Sequence, residues 1–370
     1  GDPLLRFGSD RHDFESVAGQ STEGGASYRY LNDEDIGQYV RKRVFVNGAT
    51  VGVNSEAFYV EDSWQVTDNV LVYGGLRWDR FENTNGSGDT YVEMDRQFGP
   101  RLGFSWDVFG DSSFKVFGNA GRYAFPLTAT VAIRGASASL FSDQYFSYTG
   151  VDAVTGAPTG LTPISGINYL NNEFGLPKNP EAITAHDLDP MYQDEYIFGM
   201  QKRLGGNMSA GVRGIYRNLV RAIDDTCDWR PVRAWGLANG FTEGEDGVFV
   251  TPDDATSDNQ MAFLNPGFVG CRLYNPGQAA TFSMDLNGDG VFEEVDLSAA
   301  DLGPKARRTY KAVELFFDGA WDKFFVQGSY TWAKSQGNSE GGVNSNLDQT
   351  NTRVSTAAEP RSSQLRHPPH

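Results

Sequence analysis

Phe324-Phe325-Val326-Gln327-Gly328-Ser329-Tyr330-Thr331-Trp332-Ala333 follows the run Arg308 to Ala320 after only Trp321-Asp322-Lys323. In an extended chain, Phe324, Val326, Gly328, Tyr330 and Trp332 fall on one face, and Phe325, Gln327, Ser329 and Thr331 on the other. Two such runs with an Asp at the bend between them read as a β-hairpin.

The unit recurs. Ser55 to Val66 and Val70 to Phe81 flank Thr67-Asp68-Asn69, and Phe98 to Val108 and Ser113 to Tyr123 flank Gly110-Asp111. Met191 to Leu204 and Met208 to Leu219 flank Gly205-Gly206-Asn207. Leu102, Phe104 and Trp106 oppose Arg101, Gly103 and Ser105. Met208, Ala210, Val212, Gly214 and Tyr216 oppose Ser209, Gly211, Arg213, Ile215 and Arg217. Further strands are expected at Leu4 to Phe14, Ala26 to Leu31 and Gln38 to Val46, roughly eleven in all.

What joins the hairpins separates two fold classes. Glu82 to Gln97, Ala124 to Pro190 and Val220 to Arg307 are polar, rich in Gly, Pro and Asn, and weakly periodic. A large soluble sheet with one wet and one buried face gives the same alternation. A transmembrane barrel adds a second regularity, short periplasmic turns alternating with long extracellular loops. The reading is therefore all-β: part of an antiparallel transmembrane β-barrel, with apolar side chains toward lipid and Arg, Gln and Ser toward a hydrated lumen. Trp64, Trp78, Trp106 and Trp332, near strand ends, suit interfacial girdles.

Composition agrees. Aromatic residues make up 13% of the 370, glycines number 43, and mean hydropathy is −0.44. The uncharged stretches are too short (Tyr123 to Ile133) or too rich in Pro, Gly and Asn (Ala153 to Asn172) to cross a bilayer as an apolar helix. A net charge of −17 argues against nucleic acid as a partner. The chain opens inside a strand, Leu4-Leu5-Arg6-Phe7-Gly8, without a signal peptide, and closes without the terminal aromatic strand usual in bacterial barrels. The expectation is an internal piece: barrel over 1–360, an acidic extracellular insertion over 224–304, and a disordered tail over 361–370.

Several stretches in order resemble TonB-dependent receptors, in particular the Oar-like group. They are Ala57-Phe58-Tyr59-Val60-Glu61-Asp62-Ser63-Trp64-Gln65-Val66, Gly75-Leu76-Arg77-Trp78-Asp79, and Gly99-Pro100-Arg101-Leu102-Gly103-Phe104-Ser105-Trp106-Asp107. Lys115 to Tyr123 and Tyr330 to Ser335 continue the series. The resemblance implies a barrel of the outer membrane, usually of twenty-two strands, closed by an N-terminal plug. Through that plug, absent from this chain, the TonB complex would drive uptake of an unidentified ligand. Oar-like members also carry a small carboxypeptidase-regulatory-like domain before the plug. Membrane lipid and lipopolysaccharide are the other expected partners.

The sharpest local motif is Asp285-Leu286-Asn287-Gly288-Asp289-Gly290-Val291-Phe292-Glu293-Glu294-Val295-Asp296. It has EF-hand loop spacing: Asp285, Asn287, Asp289, Glu293 and Asp296 supply oxygens at positions one, three, five, nine and twelve, and Val291 its carbonyl at seven. Ca²⁺ takes such hard oxygen ligands. Position twelve departs from the pattern, with Asp296 in place of the bidentate Glu, and no flanking helices are evident. A Ca²⁺ loop and a bare acidic turn both fit. Between Asp224 and Pro304, fifteen acids face three Arg, −12 of the total charge. That surface would attract cations, bridge to lipopolysaccharide through divalent ions, or simply stay solvated. Cys227 and Cys271, in the same region, suit one disulfide in an oxidising compartment, or two buried thiols.

No enzyme is expected. Gly337-Asn338-Ser339-Glu340-Gly341 matches the G-x-S-x-G string, but loop rather than helix follows it. His12, His186, His367 and His370 have no metal-ligand spacing. An energy-coupled transporter leads; a passive porin or structural barrel, and a secreted Ca²⁺-binding adhesin, are the alternatives.

Overall fold

The computed structural model describes residues 3–127, 129–205, 207–226, 228–242 and 267–339. Its main feature is a 13-stranded sheet. The long strands are β1 (Pro3–Ser21), β3 (Gly37–Thr67), β4 (Val70–Thr84), β5 (Thr90–Asp107) and β6 (Phe114–Phe125), with the short β2 (Ser27–Asp33) between the first two. After β7 (Leu140–Ser147) come β8 (Met191–Gly205) and β9 (Met208–Arg221). Past β10 (Asp224–Thr226), β11 (Arg272–Tyr274), β12 (Ala280–Met284) and β13 (Glu293–Leu297) the sheet resumes with β14 (Arg308–Trp321) and β15 (Phe324–Gly337). The long strands lie in the order β1-β3-β4-β5-β6-β8-β9-β14-β15, every neighbour antiparallel. Sequence order is thus spatial order, as in an up-and-down barrel wall. Among the described residues the sheet is open, with β1 and β15 at its edges.

The turns explain why the hairpins form where they do. Asp107 accepts the backbone N–H of Gly110 and of Ser112, closing β5 onto β6. Gly110 has φ 74°, the left-handed conformation that glycine adopts without a Cβ penalty.

Two expected boundaries differ. Gln38 to Val46 and Ser55 to Val66 are one 31-residue strand, not two, because pairing continues through the two intervening glycines, Gly48 and Gly52. Gly48 lies opposite Gly19 of β1, and a Cβ on Gly19 would sit 2.8 Å from the Asn47 carbonyl oxygen. The stretch Glu82 to Gln97, expected as a wandering loop, is mostly the top of the β4–β5 hairpin, closed where Asn85 Oδ1 accepts from Ser87 and Asp89 N–H. Its polar composition reflects height above the apolar band, where both faces meet water or loops, and not a lack of strand structure.

The other two long connections fold. Ala124 to Pro190 carries α1 (Ala129–Ala136), β7 and α2 (Pro180–Ile183); Val220 to Arg307 carries α3 (Arg230–Ala238), the two-stranded sheet β10–β11 and the hairpin β12–β13. They pack on the tops of β3–β5. Val51, Phe81, Val92 and Met94 bury against Leu127, Ile133, Ile183 and Leu273. A second core lies within the insertion itself, around Val232, Phe282, Met284 and Val295. The two connections are also joined directly: Ala185 N–H donates to Leu273 O at 2.9 Å, and Asn275 Nδ2 to Asp189 O at 2.9 Å. No helix among the described residues is long and apolar enough to cross a membrane.

Candidate functional site: a charged inner wall beneath a folded loop cap

Antiparallel partners share a face, so the registers define the two sides of the wall. One row reads Trp64–Val72–Phe104–Gly118–Phe198–Gly214–Val313–Trp332, and the next Leu5–Asp62–Gly74–Leu102–Ala120–Tyr196–Tyr216–Lys311–Lys334. The alternation expected for β5, β9 and β15 therefore falls on one common face. Phe104, Phe198, Leu315 and Trp332 stand exposed on it, unburied by any protein core. Large apolar side chains turned outward over so many strands suit lipid and not water. Asp62 is a carboxylate on the second of these rows; its Oδ1 is buried without a hydrogen-bond partner.

The opposite face is a ladder of ion pairs. Arg77 donates from Nη1 to Asp10 at 2.7 Å and from Nε to Asp79 at 2.9 Å. Arg213 donates to Glu314 at 2.9 Å, and Arg217 pairs with Glu195. Glu61 accepts from the Tyr73 hydroxyl at 3.2 Å and lies 3.6 Å from Arg6, while the Arg101 guanidinium sits 4.9 Å from the Tyr123 ring centroid. Toward the short turns, Gln201, Ser209 and Asp318 form a hydrogen-bonded chain beside a polar cavity of about 720 Å³ that Lys115 and Arg203 also line. Such a wall is stable only where water reaches its charges, and it offers fixed donors and acceptors to a polar solute. Single-strand alternation places Arg213 and Arg217 here but does not name their partners. Counting back from the Gly205–Met208 turn would set Glu195 against Asn218; a register shift between Arg203 and Gly205 sets it against Arg217 instead.

Above this wall lies the cap, and with it the expected Ca²⁺ ligands. Asp285–Phe292 joins β12 to β13, so the motif sits on a β-hairpin and not between helices. Asp285 accepts N–H groups from Gly288 (2.7 Å) and Gly290 (3.0 Å). Asn287 Nδ2 donates to Asp289 Oδ2 at 3.0 Å, and Asp289 Oδ1 accepts from Val291 N–H at 2.8 Å. Glu293 turns back on the loop, where its Oε2 accepts from Leu286 N–H at 3.2 Å. Burial, then the nearby Asp285 and Asp289, hold the Glu293 carboxyl above the usual carboxylate range. Asp296 stands apart: it lies opposite Thr281, on the strand face away from Glu293, and accepts from the Thr281 hydroxyl at 2.6 Å. The structure thus gathers Asp285, Asn287, Asp289, Val291 and Glu293 within one loop and leaves Asp296 outside it. Among the described residues no group of three or more His, Cys, Asp or Glu side chains is set to hold a metal.

Cys271 is buried and disulfide-bonded. Cys227 lies outside the described residues, as does the tail 361–370. The β10–β11 pairing ends at Thr226 opposite Arg272, each the sequence neighbour of a cysteine.

Arg272 is a residue the sequence did not single out, and it is fully buried in the cap. Its Nη1 donates to Val269 O at 2.9 Å and its Nη2 to Asp228 O at 3.3 Å, while the guanidinium lies 5.4 Å from the Phe282 ring centroid. A lone Arg in an acidic run gives no sequence signal of burial.

A wall that is apolar outside and charged inside, with short turns at one end and folded loops at the other, defines an integral outer-membrane β-barrel. The chain belongs to the TonB dependent receptor-like β-barrel family, whose model matches residues 4–364, and so it resides in the outer membrane of a Gram-negative bacterium. It is 24% identical over 236 residues to the TonB-dependent transporter Oar of Myxococcus xanthus, covering 57% of this chain and 21% of that protein. The chain thus spans about a fifth of that curated relative's length. Among solved structures it is similar to the outer membrane transporter YddB of Escherichia coli, with 13% identity, a TM-score of 0.36, and coverage of 90% of this chain and 34% of that one. The alcaligin outer membrane receptor FauA of Bordetella pertussis gives 9% identity, a TM-score of 0.34, and coverage of 90% and 40%.

Proposed function

We propose that this chain is part of the barrel of an energy-coupled transporter, which takes up a polar ligand captured by the loop cap and passed along the charged inner wall. The wall of paired charges under a folded cap is the observation that carries this reading. An open sheet edge in a bilayer leaves backbone groups unpaired at several kcal/mol each, so further strands must close the barrel of the whole receptor. TonB coupling would reach it through a plug. The test compares media exhausted by cells with and without the full-length receptor, by mass spectrometry, before and after a protonophore. At least one solute should be depleted only by energised cells that carry the receptor. A steady ohmic conductance of the full-length protein in planar bilayers, with no such solute, would establish the passive barrel instead.

We further propose a Cys227–Cys271 disulfide and Ca²⁺ in the β12–β13 loop. The ion would be held by Asp285, Asn287, Asp289, the Val291 carbonyl and Glu293, with Asp296 excluded by its position. A carboxylate whose pKa is raised by burial, and then by two neighbouring carboxylates, is one that a divalent cation would relieve. The sign follows from linkage. Without metal, the raised Glu293 pKa gives a stabilising contribution present below the unfolded-state value and lost as pH rises through the folded-state value. Amide protection of 285–293 in chelator should therefore fall from pH 4 to 7, and Glu293→Gln should flatten that dependence. Ca²⁺ at pH 7 should restore protection in the native protein and not in Asp289→Ala. Protection indifferent to Ca²⁺ would leave a bare acidic turn.

A further inference from the structure

The lipid-facing surface is not evenly covered. In the row Phe104–Gly118–Phe198–Gly214–Val313–Trp332, side chains alternate between large and absent up to Gly214. The Phe104 ring covers Gly118, where a Cβ would lie 2.7 Å from it. Gly214 has no such cover, since the nearest atom to a Cβ built there is 3.9 Å away. The result is a groove of about 920 Å³ on the outer face, floored by Gly214 and Ala120 and walled by Phe198, Val313 and Trp332. Its surface is almost wholly apolar except at one end.

That end carries two cations. Lys311 and Lys334 are register partners one rung toward the loops, both line the groove, and Lys311 Nζ lies 5.9 Å from the Tyr216 ring centroid. Among the described residues neither lysine has a carboxylate in salt-bridge range, whereas the arginine on the neighbouring outward row, Arg122, is committed to Asp194. From Trp321, at the short turn, to Lys311 is ten residues. At about 3.4 Å per residue and a tilt near 40°, the lysines stand about 26 Å above that turn, the height of an apolar band about 25 Å tall. They are therefore at headgroup level on the loop side, which is the outer leaflet.

We propose that this groove is a lipid site: it holds an acyl chain of a phosphorylated glycolipid of the outer leaflet, lipopolysaccharide, whose phosphate Lys311 and Lys334 share. Two unpaired cations at headgroup height select an anionic headgroup, and the uncovered glycine below them leaves room for a chain that a smooth barrel wall would exclude. The inference rests on the outer-membrane location and is independent of any transported ligand.

The test is native mass spectrometry of the full-length receptor in detergent, titrated with diphosphoryl lipid A, dephosphorylated lipid A and phosphatidylethanolamine. Diphosphoryl lipid A should bind at least tenfold more tightly than the other two. The Lys311→Gln/Lys334→Gln double variant should lose that preference, and Gly214→Leu, with both lysines intact, should weaken lipid A binding by closing the groove. The lysine side chains are exposed, so their variant decides the matter even where Gly214→Leu does not insert. Equal lipid A binding by the lysine variant, equal binding of the dephosphorylated lipid, or a dimer in every lipid-free sample that covers this face with a second copy, would overturn the proposal.

Discussion

Phe198→Arg in the full-length receptor is expected to cost about 2–4 kcal/mol of barrel stability, the range for a cation near the middle of a lipid-facing strand. Phe198 is 59% exposed, and its register partners Gly118 and Gly214 bury nothing over it. Its environment is therefore lipid, and a guanidinium there must be dragged out of water. Asn119→Arg is the matched control. Asn119 pairs with Ile197, one residue along β8, and faces the charged inner wall. Its substitution should change stability by less than about 0.5 kcal/mol, the usual range for a hydrated surface position. Unfolding in urea from lipid vesicles, followed by loss of heat-modifiable migration, reads both. Equal costs for the two variants would mean that both faces are wet.

Arg272→Ala should destabilise the cap by about 1–3 kcal/mol for each buried carbonyl left without its donor. The substitution strands the Val269 and Asp228 carbonyls and opens a cavity beside Phe282. Arg272→Met fills more of that volume without donors and should lose less. Burial pulls the Arg272 guanidinium down to about 10, with Asp228 opposing. A base depressed in the folded state costs stability while charged, and that cost lifts only as pH rises through about 10. Between pH 6 and 8 the residue stays charged, so the loss on Arg272→Ala should not vary over that window. Limited proteolysis of the cap on whole cells checks it. A cap in Arg272→Ala as resistant as the native one would remove Arg272 from this account.

Much of the wall is legible in the chain because a strand has one regularity to obey. Trp332, Val313 and Gly214 sit on one face in the structure because they alternate in the sequence, and Asp at a two- or three-residue bend marks where the strand reverses. Legibility fails where that regularity stops carrying information. Above the lipid, Tyr91–Gln97 carries Glu93, Asp95, Arg96 and Gln97 within seven residues and pairs with β4 through two register shifts, so it reads as loop although it is strand. Gly48 reads as a break, yet opposite Gly19 it lets β3 run on. The cap was less readable still. Its core forms between segments far apart in the chain, Ile183 against Leu273 and Val51 against Ile133, and no local period announces such contacts. Of the acidic motif, spacing alone identified the loop that gathers Asp285, Asn287 and Asp289. Counting to twelve could not show that a strand would carry Asp296 to the opposite face.

The central claim is that this sheet crosses a bilayer with Leu102, Phe104 and Trp106 in lipid and Arg101, Gly103 and Ser105 in a hydrated lumen. Spin labels placed singly from Phe98 to Asp107 in the full-length receptor, in native outer membranes, test it most directly through their collisions with oxygen and with a water-soluble nickel chelate. The account predicts a strict period of two: labels at 98, 102, 104 and 106 relaxed by oxygen, and those at 101, 103 and 105 by the chelate. Chelate access at every position, or a period near 3.6, would contradict it.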